Sequence, residues 1–205
     1  MKKIGLLMMC MLLATTVSVF AMDITVGGAA GVNMNHADVP EGRQMGSSIG
    51  FEAGVFANIA IADISADAYF SIQPELNFLL LRYGYEFGAK PIAFTSISSR
   101  AMVVEIPVLA KANFLAGPGK ISVFAGPALQ LVLAQKTEFE IEIFGINRKT
   151  ENTDVDDRVG FAVVAGVDYT LPMGLILDAR YRRGFTGAVE KANIFAFRVG
   201  YGLSL

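Results

Sequence analysis

The sequence predicts an all-β fold: an eight-stranded antiparallel up-and-down transmembrane β-barrel. Three observations predict it. Residues 101–135 form two arms of period-two alternation joined by Gly117-Pro118-Gly119, a tight-turn signal. Hydrophobic residues make up 53% of the chain and charged residues 18%, yet nothing after residue 21 offers the roughly 18 consecutive apolar residues of a spanning helix. Finally, the connections between alternating segments run long, short, long, short along the chain.

The hairpin of residues 101–135 sets the reading of the rest. In its first arm Met102, Val104, Ile106, Val108, Ala110, Ala112 and Phe114 share one parity, and Glu105, Lys111 and Asn113 share the other. In the second arm Ile121, Val123, Ala125, Leu129, Leu131 and Leu133 oppose Ser122, Gly126, Ala128 and Gln130. Successive side chains of a strand point to opposite faces, so each arm has one apolar and one polar face. Each arm supplies about 9–11 alternating residues, the length a tilted strand needs to cross a bilayer. Charges avoid the apolar parity, which assigns that face to lipid.

The N-terminus reads as a secretory signal peptide over residues 1–21. Lys2 and Lys3 give a basic start, residues 4–20 an apolar core, and Val19-Phe20-Ala21 a cleavage site. Residues 22–205 then form the barrel domain. Cys10 is the sole cysteine and falls inside the signal peptide, so the exported chain has no disulfide and no thiolate metal site. A net charge of −2 over 205 residues gives no reason to expect a nucleic-acid partner.

The remaining strands follow in order. Residues 23–35 alternate Ile24, Val26, Ala30, Val32 and Met34 against small Gly27, Gly31 and Asn33. Residues 36–47 are a loop. Residues 48–61 set Phe51, Ala53 and Val55 against Glu52 and Asn58, and residues 67–83 set Ile72, Leu76, Phe78 and Leu80 against Gln73, Glu75 and Asn77. Pro74, Pro107 and Pro127 each remove a ladder donor, so parity is open to a one-residue slip beyond each of them. Residues 84–99 read as the second long loop. Residues 136–157 are the longest connection, but residues 138–146 still alternate, which extends a hairpin beyond the membrane. Residues 158–171, 175–183 and 193–205 complete the count of eight, an even number that suits such a barrel.

The ordered motifs FSIQPELNF, VVEIPVLAKANFL, ISVFAGPALQLVL and GLILDARYRRGF, ahead of a closing alternating strand, resemble the small outer-membrane β-barrel domain family of PorT-like and OmpX-like barrels. The resemblance implies residence in the outer membrane of a two-membrane bacterium, with the bilayer and the barrel-insertion machinery as partners. It also implies a closing insertion signal. Gly200, Leu203 and Leu205 match its spacing, with Leu205 where the family usually ends on an aromatic. The family is defined by fold and implies no single activity.

The polar parity holds Glu52, Glu75, Glu105, Asp168 and Asp178 against Lys111, Arg180, Arg182 and Arg198. Eight strands leave an interior that side chains fill, so these charges read as a packed, self-neutralising network. A selectivity ring in a narrow channel would carry an excess of one sign. No catalytic, cofactor-binding or metal-binding residue is assigned, and no cofactor is expected. The favoured reading is a structural barrel, or one that binds an extracellular ligand through its loops. The alternative is a lipid-modifying barrel enzyme, for which His36 with Asp38 and Ser47 or Ser48 are the candidates. The acidic residues 138–142 read as a solvated strand face and lack calcium-loop spacing. A soluble lipocalin-like barrel would place its charges outside and its apolar residues within, the reverse of this pattern.

Overall fold

The alternation folds as strands throughout. The structure is a computed structural model that describes residues 23–37, 45–46, 48–89, 93–143, 146–152, 158–186 and 192–205. Its elements are β1 (Ile24–Ala37), β2 (Met45–Gly46), β3 (Ser48–Ser65), β4 (Ala68–Ala89), β5 (Ala93–Ala116), β6 (Gly119–Ile143), β7 (Ile146–Asn152), β8 (Val159–Thr170), β9 (Leu175–Thr186) and β10 (Ala192–Ser204).

Eight strands close a ring in the order β4-β3-β1-β10-β9-β8-β6-β5, and β5 returns to β4. The first and last strands seal it, from Thr25 opposite Ser204 to Ala37 opposite Ala192. Every neighbouring pair is antiparallel. Closure leaves no free edge along the ring, so backbone donors and acceptors are satisfied without water. At one end the chain reverses tightly. Gly117 (φ 60°) and Gly174 (φ 88°) occupy the left-handed region there, where a side chain is strained.

The three prolines leave parity intact. Gln73 and Glu75 are both buried on either side of Pro74, and Pro107 and Pro127 sit in register opposite Ala128 and Val163. Register shifts fall elsewhere, at Ala60/Ala62 and Asp63/Ser65 against β4, at Met102/Val103 against β6 and at Phe161/Ala162 against β9. Close approach of two strands is needed beside Pro127. A Cβ on Gly126 would lie 2.0 Å from the Val108 carbonyl oxygen.

One connection differs from the sequence reading, and another extends as that reading expected. Residues 84–99 are a continued hairpin, with β4 and β5 paired as far as Ala89 opposite Ala93. Tyr83, Tyr85 and Phe87 keep the period of β4, as Thr95, Ile97 and Ser99 keep that of β5, and such residues favour strands. Gly84 and Gly88 between them read as punctuation in the bare sequence. The alternation after residue 138 is likewise a strand: β6 runs to Ile143 and turns back as β7, pairing Thr137 with Asn152. These four strands form an arm beyond the ring, and β2 adds a short pairing to β4. His36, expected in a loop, lies in β1 one residue before its end, opposite Asn193.

The ring is apolar outside. Phe51, Val55, Leu76, Val123, Phe197 and Leu203 are all between 45% and 58% exposed. Its interior holds the polar parity and two apolar clusters. One lies along β5, β6 and β8 (Leu109, Phe124, Ala128, Ala162, Val164). The other, at the arm end, joins Leu79, Leu81, Ala101, Val103, Val132, Ala192 and Ile194.

Candidate functional site

Ring order decides which interior charges can meet. β9 stands directly across the lumen from β4, with β3 and β5 flanking β4. Period-two alternation on β9 sends Asp178, Arg180 and Arg182 inward together, and all three are buried. Arg180 reaches across the full lumen: its Nη1 donates to Glu75 Oε2 at 2.8 Å, and its Nη2 to Asp178 Oδ2 at 2.5 Å. Arg182 is a two-sided clamp. Its Nη1 and Nη2 donate to both oxygens of Glu52 at 2.7 and 2.8 Å, while its Nε donates to Glu105 Oε1 at 3.0 Å. Arg198 on β10 ties the two sets together, donating to Asp178 at 3.0 Å, Asn77 at 3.2 Å and Glu75 at 3.3 Å. Its Nε lies 3.7 Å from Glu52 Oε1.

Lys111 and Asp168 pair on the β5–β8 side, Nζ donating to Oδ2 at 2.6 Å, and the same Nζ donates to Gln73 Oε1 at 3.0 Å, which links the pair to Glu75 through Gln73 Nε2 at 2.7 Å. Lys111 Nζ and Arg180 also lie 5.6 and 5.2 Å from the centroid of the Phe124 ring, within cation–π reach. Below them a chain of neutral groups continues to the tight-turn end. Asn58 donates to Ser71 and Gln73, Asn113 donates to Ser71, and Ser122 donates to Asn113. A polar cavity of about 130 Å³ opens there beside Thr25, Asn58, Lys120 and Ser204. Lys120 Nζ donates to the Tyr69 hydroxyl at 2.6 Å.

The structure thus brings all nine interior charges into one lumen, each at most 7% exposed. The layer above them was missed by the sequence reading. Leu79, Leu81, Val103, Val132 and Ile194 fill the lumen at the arm end. Its only signal in the sequence is that both parities turn apolar there, in the runs Phe78 to Leu81 and Met102 to Val104. Among the proposed insertion residues Gly200 faces the lumen, while Leu203 and Leu205 are exposed at the tight-turn end. Ser48 opens β3 opposite Asn35. Residues 1–21, expected to form a signal peptide, Asp38, Ser47 and the side chains of His36 and residues 138–142 lie outside the described residues. Tyr169, Tyr181 and Tyr201 stand on the outer face, whereas Tyr69 lies at the lumen mouth with Lys120. Among the described residues no group of three His, Cys, Asp or Glu is arranged to hold a metal ion.

A barrel with charges inside and exposed Phe, Leu and Val around its whole girth is built for lipid. A family model described as outer membrane protein beta-barrel domain matches residues 20–190. The chain belongs to that family. This outer-membrane barrel is similar to several solved structures. The attachment invasion locus protein Ail of Yersinia pestis is 10% identical, with 91% of this chain and 100% of that one covered and a TM-score of 0.42. Neisserial surface protein A is 18% identical, covering 89% and 97%, at a TM-score of 0.43. The outer membrane enzyme PagL is 11% identical, covering 87% and 98%, at 0.45. A search of the curated proteins returns no match.

Proposed function

We propose that this outer-membrane barrel is a sealed anchor that acts through the β-sheet arm at its long-connection end, binding an extracellular ligand or surface. The observation that carries the reading is the arm itself. The lipid-facing rows of β4, β5 and β6 end at Leu80, Met102 and Leu133, while the strands continue to Ala89, Ala93 and Ile143. Four paired strands are an expensive structure to extend past the membrane unless the extension meets something. The lumen offers no comparable site, because arginine braces cross its middle and an apolar layer fills its arm end. In this reading residues 1–21 direct export and are removed, the arm end faces outward, and Gly200, Leu203 and Leu205 guide insertion of the closing strand.

Two measurements test it. The full-length mature chain in a planar bilayer is expected to show no steady conductance; a large, porin-like current would move the function into the lumen. Cells displaying the protein are expected to attach to a glycan- or matrix-coated surface, and cells displaying a chain trimmed of residues 138–151 are expected to lose that attachment. Equal attachment would sink the arm reading. Altered acylation of outer-membrane lipids on loss of the protein would transfer the function to the barrel-enzyme alternative.

A further inference from the structure

The polar cavity at the tight-turn mouth of the lumen serves neither the braces nor the arm. Its volume is about 130 Å³, and every residue lining it is described. Much of its space comes from one missing side chain. A Cβ on Gly202 of β10 would point at Thr25 Cγ2 (2.9 Å), Ile176 Cδ1 (3.5 Å) and Phe56 Cζ (3.7 Å). All three of those residues line the cavity. The nearest atoms are thus side-chain tips, whereas a Cβ on Gly31 would lie 2.0 Å from the Phe197 carbonyl oxygen. Strand packing demands the glycine at 31; at 202 the glycine keeps the mouth open.

The lining carries one cation that no carboxylate neutralises. Lys120 is half-buried. Its Nζ donates to the Tyr69 hydroxyl at 2.6 Å and lies 5.2 Å from the centre of the Tyr69 ring, both neutral partners. An ammonium has three donors, so two remain. Lys111, deeper in, is already neutralised by Asp168 and also serves Gln73. No Asp or Glu lines the cavity, and Asp23, Asp63 and Asp67 at this end are exposed. Neutral donors stand around Lys120. The Thr25 and Ser204 hydroxyls lie 3.4 Å apart, and the Thr170 hydroxyl meets no partner among the described residues.

We propose that this mouth binds a single carboxylate group, with Lys120 donating to it and the hydroxyls of Thr25, Thr170 and Ser204 completing its hydrogen bonds. One unneutralised cation matches one negative charge. A phosphomonoester carries about −1.5 to −2 at neutral pH, more than Lys120 offsets, and a surplus charge is costly in a partly dry site. Phe56 and Ile176 supply an apolar wall for the carbon next to the carboxylate. The cavity has room for roughly four waters at about 30 Å³ each. The ligand is therefore a small carboxylate, or the carboxylate end of a longer chain that enters from the tight-turn side. The site rests on the closed barrel and is independent of what the arm meets.

The experiment uses the full mature chain, isotope-labelled and folded in detergent micelles, with sodium acetate as the probe against sodium chloride at equal ionic strength. Amide resonances of Thr170, Gly174 and Gly202 are expected to shift saturably with acetate and not with chloride. Lys120→Gln is expected to lose at least about tenfold in affinity, the worth of one hydrogen bond to a charged group. Gly202→Val, which fills the space and leaves the charge, is expected to abolish the saturable shifts. Arg158→Gln, at the arm end, is expected to bind as wild type does. Heat-modifiable gel migration checks that each variant folds. A tripeptide with a free C-terminus, set against its C-terminal amide, separates the two sources. Tighter binding of the acid than of acetate marks a chain end, and equal binding marks a small free carboxylate; both uphold the site. No saturation in the wild type, or wild-type affinity in folded Lys120→Gln or Gly202→Val, overturns the proposal. So does inorganic phosphate binding more tightly than acetate at the same resonances, since the site would then not be matched to one charge.

Discussion

Replacing Arg182 with alanine is the sharpest test of the braced lumen. The side chain is fully buried and makes three charge-assisted bonds, two to Glu52 and one to Glu105. Deleting it strands two carboxylates unequally. Glu105 Oε2 still accepts from Gln130 Nε2 at 2.8 Å. Glu52 keeps only the Arg198 Nε at 3.7 Å, beyond hydrogen-bond range. Removing one partner of a buried pair and leaving the other charged costs about 3–5 kcal/mol. Arg182→Ala is expected to lose that much in reversible urea unfolding from lipid vesicles, while Arg148→Ala in β7 stays within about 0.5 kcal/mol of wild type. Adding Glu52→Gln to the variant is expected to recover more stability than adding Glu105→Gln, because Glu52 is the carboxylate left without a donor. A cost below about 1 kcal/mol, or equal rescue by the two glutamines, would refute the idea that these pairs are dry and specific.

Two further outcomes follow from the exterior and the N-terminus. Val123 and Val163, 45% and 37% exposed on the lipid face, are each expected to cost about 2–4 kcal/mol when changed to arginine; vesicle-refolding free energies equal to wild type would count against the bilayer placement. N-terminal sequencing of protein from an outer-membrane fraction is expected to begin at Met22, and recovery of an intact Met1 there would overturn cleavage after Ala21.

The fold was legible in the sequence where one parity was apolar and the other was not. On β5, β6 and β10 a strict alternation assigned lipid and lumen faces residue by residue, and the tight turn between β5 and β6 announced itself through Gly117-Pro118-Gly119. The same signal failed at the arm end. In Phe78 to Leu81 and Met102 to Val104 both parities are apolar, so periodicity cannot say that Leu79 and Val103 fill the lumen. The arm between residues 84 and 99 was hidden by Gly84 and Gly88. The interior charge set followed from parity, but its pairing did not. Arg182 meets Glu52 from 130 residues away and Glu105 from 77. Those partners depend on ring order and strand stagger, which no local pattern encodes.

The lumen is closed twice, by different chemistry, and this separates stability from sealing. The middle layer is held by arginines, whose rigid forks let one side chain serve two acids: Arg180 joins Glu75 to Asp178, and Arg182 joins Glu52 to Glu105. Lys111, a point charge, serves Asp168. The layer at the arm end has no charges; Leu79, Leu81, Val103, Val132 and Ile194 exclude water by packing alone. A defect in the braces therefore leaves the apolar layer in place. Arg182→Ala should weaken the barrel yet remain silent in a planar bilayer, because an ion entering from the tight-turn end would still meet a dry constriction. Steady conduction by a folded Arg182→Ala barrel would show instead that the charged layer alone seals it, and that the apolar residues above are merely wall.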